Sequence, residues 1–544
     1  MQLDEHVAPE SVLADHLGPL HPAVRALRDA YPDAAQRGVA LRALRAVAEN
    51  PGRLYPGSAD EWETIGRALA KLDAPAAAHA LAELDRHLFT LDVRYWAQRR
   101  RFRTLAAALA RADDAAAATL VRDVRSAQAL AAHASPAVLA GIAQRCAGAS
   151  STETLALVAG YRPRSRLPGR AGSELEALAE IVTVADRAGH RDAAAKLVEA
   201  FDRDADPPPL RRASVLPLVA RLVAEASASQ PAAMNSFLAA LAALAAVPLA
   251  LDASAVAKLR EALRSLSATS AELCFVQAAR LVGEFQIEAV PFVTGELAAK
   301  IDALAATVRA LPASEEPVPW LDTVATAAAW SEEASELVCA GLARWVTLVP
   351  AAHHRALARS LAQLGPLVPA LGEDALDRLA EVAHALAPDG RCELFLRHAG
   401  ELGETRAEVV ETFVALAAAA KELGCAERLD ALVGAFHRER ILRTPWAKRL
   451  PRALTRLSEL AEPWGSELWC AALGPCLSAA ESSPESALAL ARGLAERLPA
   501  MPVAARLPYL RAVHELVHHY GVRFVGYALT DLARSMDAAA PRSA

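Results

Sequence analysis

The chain has 544 residues, 53% hydrophobic and 22% charged, which is too much apolar surface for a sequence disordered along its length. Aromatics at 5% and the lack of long alternating Val/Ile/Thr/Tyr runs exclude a β-sandwich or barrel, and abundant alanine and leucine favour helix. A net charge of −6 exerts no global pull on nucleic acid or anionic lipid.

In chain order, the first residues, Met1-Gln2-Leu3-Asp4-Glu5-His6, hold no basic or apolar stretch, so no secretory signal and a cytoplasmic setting are expected. Breaks fall at Asn50-Pro51-Gly52, Pro75, Ser135-Pro136 and Gly148-Ala149-Ser150. Ser58/Glu61 and Ser173/Glu176 have capping-box spacing, in which a hydroxyl and a carboxylate three residues on satisfy free amides. Longer interruptions at 160–173 and 202–209 separate an N-terminal helical block, 1–160, from a middle block, 174–311. The uncharged stretch 226–251 is rich in alanine and holds Gln230, Asn235 and Pro248. It predicts a buried helix rather than a membrane span.

From 312 to 537 the punctuation becomes regular. Main breaks at Pro312, Pro350, Pro388, Gly424, Pro463 and Pro499 are spaced 38, 38, 36, 39 and 36 residues apart. Each interval is cut again near Ser331, Gly365-Pro366, Gly403, Thr444-Pro445, Ser483-Pro484 and Gly521. Two helices per interval, repeated, predict an all-α solenoid of stacked antiparallel hairpins with a repeat of 36–39 residues. A capping box at Thr405/Glu408 opens a helix with Val409, Phe413, Leu416, Ala420 and Leu423 on one stripe. The helix from Asp374 carries Leu376, Leu379, Val382 and Leu386 in the same way. The first half is less regular in its breaks.

This two-helix periodicity resembles the HEAT-like and TPR-like repeat proteins in architecture, without the TPR pattern of Trp, Leu-Gly and Tyr. The resemblance implies a non-enzymatic, cofactor-free scaffold that binds another macromolecule. A protein or peptide is the first expectation. Trp320, Trp330, Trp345, Trp446, Trp464 and Trp469 are candidate contacts, because tryptophan is enriched at interface hot spots.

Two local patterns support alternatives. Arg94, Arg99, Arg100, Arg101 and Arg103 surround Tyr95, Trp96 and Phe102, and Arg443, Lys448, Arg449 and Arg452 surround Trp446. Guanidinium planes and aromatic faces suit phosphates and unstacked bases, which makes an RNA- or DNA-binding repeat the second expectation. Only six of the 58 basic residues are lysine, so arginine is a compositional habit of this chain and its runs also suit solvated faces.

His514-Glu515-Leu516-Val517-His518 resembles the zincin metallopeptidase motif. That resemblance implies zinc on His514 and His518 and a water activated by Glu515. Phe524 stands where the longer motif places its third histidine, with only Asp531 and Asp537 as acidic substitutes downstream. The His353-His354 pair, without a partner four residues on, reads as surface. The seven cysteines form no Cys-x-x-Cys pair and read as small buried thiols in a reducing compartment.

Overall fold

The computed structural model describes residues 21–48, 57–88, 95–148, 150–163, 168–202, 209–247, 250–284, 296–312, 320, 323, 331–437 and 449–520. Among these residues there is no strand, and the chain forms two compact units, Met1–Ile301 and Asp302–Ala544. The division lies within a helix, Glu296–Ala310.

The first unit is a succession of hairpins. The first three are α1 (His21–Ala30) with α2 (Ala34–Ala48), α3 (Ala59–Leu69) with α4 (Ala74–Leu88), and α5 (Tyr95–Leu109) with a second arm bent into α6 (Asp114–Arg122) and α7 (Val124–Ala131). Four more follow: α8 (Pro136–Cys146) with α9 (Ser151–Gly160), α10 (Pro168–Arg187) with α11 (Arg191–Asp202), α12 (Pro209–Ser229) with α13 (Met234–Ala246), and α14 (Ala253–Ser265) with α15 (Ala268–Glu284). Each arm packs on the corresponding arm one hairpin along. One row therefore runs α1, α3, α5, α8, α10, α12, α14, and the other runs α2, α4, α6/α7, α9, α11, α13, α15. The hairpin array, whose regular repeat was expected in the second half, is thus present in the first half too.

Its first three hairpins are punctuated by aspartate. Asp33, Asp73 and Asp113 each accept the amide three residues on, at 2.9, 2.7 and 2.8 Å, and each opens a second-row helix. Asp123 both ends α6 and caps α7, which bends that arm. The Ser58/Glu61 capping box forms as expected. The Ser173/Glu176 box does not, because α10 begins earlier, at Pro168, and Ser173 lies within it. The stretch 226–251 is divided between the end of α12, a 3-10 turn at Pro231–Ala233, and α13. Among the described residues no helix is long and apolar enough to cross a membrane.

In the second unit the hairpins are α17 (Glu332–Leu348) with α18 (His354–Leu364), α19 (Val368–Leu386) with α20 (Cys392–Glu401), and α21 (Ala407–Glu422) with α22 (Leu429–Ala435). They continue as α23 (Leu450–Ala461) with α24 (Ser466–Ser482) and α25 (Pro484–Arg497) with α26 (Val503–Tyr520); α16 denotes Glu296–Ala310. From α17 to α26 the odd-numbered helices, the first row of this unit, stack on odd and the even-numbered on even. The expected breaks separate these helices. Ser331 caps α17, Gly365-Pro366 and Gly403 sit in 3-10 turns, and Gly424 takes a φ of +73° after α21. Ser483 caps α25 with Pro484 in its first turn. Thr444-Pro445 and Gly521 lie outside the described residues. The Thr405/Glu408 box is replaced: α21 starts at Ala407, and the Thr405 hydroxyl donates to the Leu402 carbonyl at 2.6 Å.

The core is one apolar stripe per helix, pressed onto the next hairpin. Val409, Val410, Phe413, Leu416 and Ala420 are buried on α21, and the Phe413 ring lies 5.5 Å from Phe395 and 5.8 Å from Phe436. His354 is part of this core rather than surface. Its Nε2 donates to the Val346 and Val349 carbonyls at 2.9 and 2.8 Å, and its ring meets Trp320 edge-on.

Candidate functional site

Between consecutive first-row helices the surface opens into grooves lined by ion pairs. One, of about 610 Å³, lies between α21 and α23 and is lined by Glu408, Glu411, Arg452, Arg456 and Glu459 with Thr412 and Thr455. Arg452 donates to Glu408 across it at 2.6 Å. In the first unit a groove of about 360 Å³ between α12 and α14 is lined by Arg221, Arg260, Glu261 and Arg264 beside Leu218 and Val256. Arg260 grips both carboxylate oxygens of Glu225 through Nε and Nη2, and Arg264 adds a further contact at 2.9 Å. These hydrogen bonds, Arg260 first, hold the Glu225 carboxyl below its ordinary range against the opposing effect of burial.

Similar pairs link hairpins elsewhere. Arg145 meets Glu180, Arg344 meets Glu373 and Asp377, and Arg191 meets Glu153. Exposed pairs of this kind each contribute about 0–1 kcal/mol. Their physical role is register, since each cation finds its carboxylate one hairpin away. The sequence signal for these groove residues was an acid and an arginine in consecutive hairpins, 35 positions apart in Glu225/Arg260 and 44 in Glu408/Arg452. Reading arginines as clusters along the chain overlooks it.

The arginine–aromatic run divides by helix face. On α5, Phe102 is fully buried against Trp62 at 5.1 Å, so it is core. Trp96 is 72% exposed, and the Arg99 guanidinium lies over its ring at 5.6 Å. Arg100 and Arg103 lie four and seven residues after Trp96 and share its face, whereas Arg101 is rotated away. Arg103 also approaches Glu61 at 3.6 Å. Arg94 lies outside the described residues.

The second basic cluster does not assemble into a cationic surface among the described residues. Arg452 is held by Glu408, Glu411 and Glu459 line the same groove, and Arg443, Lys448 and Trp446 lie outside the described residues. Arg449 is exposed at the start of α23.

The candidate tryptophan contacts divide by burial. Trp320, Trp345 and Trp469 are buried to within 1%. The Trp345 indole donates to Asp377 at 2.6 Å and the Trp469 indole to the Ser458 hydroxyl at 2.9 Å. All three are large core side chains in a protein otherwise built from alanine and leucine, and the indoles of Trp345 and Trp469 are satisfied internally. Trp464 is half-buried and covered by the Arg506 guanidinium at 4.2 Å. Trp330 lies outside the described residues.

His514 and His518 lie one helical turn apart on α26, with ring centroids 6.5 Å apart and both side chains exposed. Glu515 faces His519 at 3.2 Å. Among the described residues no three His, Cys, Asp or Glu side chains converge as a metal site. Asp531 and Asp537 lie outside them. His514 and Glu515 instead border a cavity of about 490 Å³ shared with Cys425, Glu427, Arg428, Glu467, Cys470 and Arg511.

The chain matches no family model, no curated protein and no solved structure.

Proposed function

We propose that the protein is a non-enzymatic helical-repeat adaptor of the HEAT-like and TPR-like kind, which binds a protein or peptide along its first-row grooves. The observation that carries this reading is the recurrence of open, mixed-charge grooves between consecutive first-row helices in both units. Side chains held by neighbouring hairpins are positioned before a partner arrives, so little ordering entropy is lost on binding. A groove presenting both Glu411 and Arg456 suits an extended peptide carrying both signs of charge better than a polyanion. Seven free thiols fit a cytoplasmic setting. The test is affinity capture from the native cell with the wild type and the Glu411→Arg/Glu459→Arg variant. A specific partner retained by the wild type, and weakened at least tenfold by the variant, is expected. Equal retention by both refutes the groove as the contact surface.

A second reading rests on Trp96. An exposed indole flanked by Arg99, Arg100 and Arg103 offers a stacking face beside three cations, the chemistry that holds single-stranded RNA or DNA. Binding to an oligonucleotide should then fall steeply with salt. Changing Arg99, Arg100 and Arg103 to alanine should reduce the log–log salt slope by about 2, at roughly 0.7 per single-strand phosphate contact. An unchanged slope rejects this reading.

A further inference from the structure

Six of the seven cysteines are buried; Cys470 is the one that is not. It lies on α24 and lines the 490 Å³ cavity together with Cys425. Cys425 follows Gly424 in the connection from α21 to α22, so the two thiols belong to consecutive hairpins. Both face the one cavity, and the Cys425 sulfur approaches the Leu423 carbonyl at 3.7 Å. A partly open thiol that shares a cavity with a buried partner has the arrangement of a reactive cysteine beside a resolving one.

We propose that Cys425 and Cys470 are a redox pair, which a hydroperoxide converts to a disulfide stapling the third hairpin of the second unit to the fourth. The Cys470 thiolate attacks the hydroperoxide, forming an S–O bond and breaking O–O. The alcohol leaves, or water when the oxidant is hydrogen peroxide, and Cys470 becomes a sulfenic acid. Cys425 then attacks that sulfur, the S–S bond forms, the S–O bond breaks, and the hydroxyl departs as water with the Cys425 proton. Two thiols are oxidised and one hydroperoxide is reduced; a dithiol reductant reverses the change.

Burial above all, with Cys470 nearby, pushes the Cys425 thiol up to about 12, which keeps it protonated and assigns it the second step. None of the other buried cysteines lines this cavity, and burial pushes Cys146 and Cys392 up to about 11 and about 12. In an array whose hairpins hold only their neighbours, a covalent link between two of them resists local opening at that junction. The inference is independent of the partner the adaptor binds.

The test treats the reduced full-length protein with a small molar excess of hydrogen peroxide, followed by alkylation and peptide mass spectrometry. The expected product is an intramolecular Cys425–Cys470 linked peptide, removed by dithiothreitol, with the other five cysteines still alkylated. Hydrogen exchange in α22 and α24 should slow at least tenfold in the oxidised form. Cys425→Ser should leave Cys470 as a sulfenic acid trapped by dimedone, and Cys470→Ser should leave Cys425 reduced. Over-oxidised Cys470 with no linked peptide in the wild type, or a disulfide joining two chains, overturns the proposal. The wild-type map decides the matter even where a variant fails to fold.

Discussion

At Gly66 two effects oppose each other, and their magnitudes decide the sign. Replacing a helical glycine with alanine ordinarily stabilises by about 1 kcal/mol. A Cβ on Gly66 would lie 2.6 Å from the Ala23 Cα, a backbone atom of the neighbouring first-row helix that has no rotamer to change. Overpacking of this kind costs about 1–3 kcal/mol, so Gly66→Ala is expected to lower the melting temperature, measured by circular dichroism. A second residue-scale prediction concerns His398, buried edge-on to Phe413 with its Nδ1 3.2 Å from Glu401. Burial lowers its pKa below the ordinary 6.5, and Glu401 offsets part of that. The unfolded chain therefore takes up a proton below about pH 6.5 that the folded chain resists, so stability is full above that value and declines as the pH falls below it. Thermal melts from about pH 7.5 to 5 should show this decline, and His398→Gln should flatten it. Neither residue was legible beforehand, because close backbone approach and the burial of one histidine arise from packing between repeats.

Helices were legible where their ends carry proline or glycine, and misjudged where the ends carry aspartate. The second unit could be read through Pro350, Pro388, Gly424, Pro463 and Pro499 because those residues stop helices by themselves. In the first unit Asp33, Asp73 and Asp113 mark the same repeat by accepting free amides, a weaker signal in a sequence with many acidic residues. Asp73→Ala is accordingly expected to cost about 1 kcal/mol, measured by chemical denaturation, while Asp73→Asn should be nearly neutral. The two failed capping boxes share one cause. Spacing alone marks a candidate, but a Ser or Thr caps only where the backbone leaves the helix, and tertiary packing carried α10 past Ser173 while delaying α21 beyond Thr405. The candidate sites were legible only in part for a related reason. Trp345 and Trp469 were singled out by residue type, yet only the fold reveals that their indoles are used inside it.

For the molecule as a whole, each unit is a stack in which a hairpin is held by its neighbours, so stability is local and surfaces recur at the repeat interval. That is why a single arrangement produces a similar groove in each unit, and why arginine, read along the chain, looked like a nucleic-acid signal. Much of it is engaged across hairpins, as in Arg260/Glu225 and Arg452/Glu408. The most direct measurement of the adaptor account is affinity capture from the native cell with and without nuclease, comparing the wild type with Glu411→Arg/Glu459→Arg. The account predicts a defined protein partner that survives nuclease and is lost from the variant while its melting temperature is unchanged. Retention that vanishes with nuclease, or that the variant keeps in full, would contradict it.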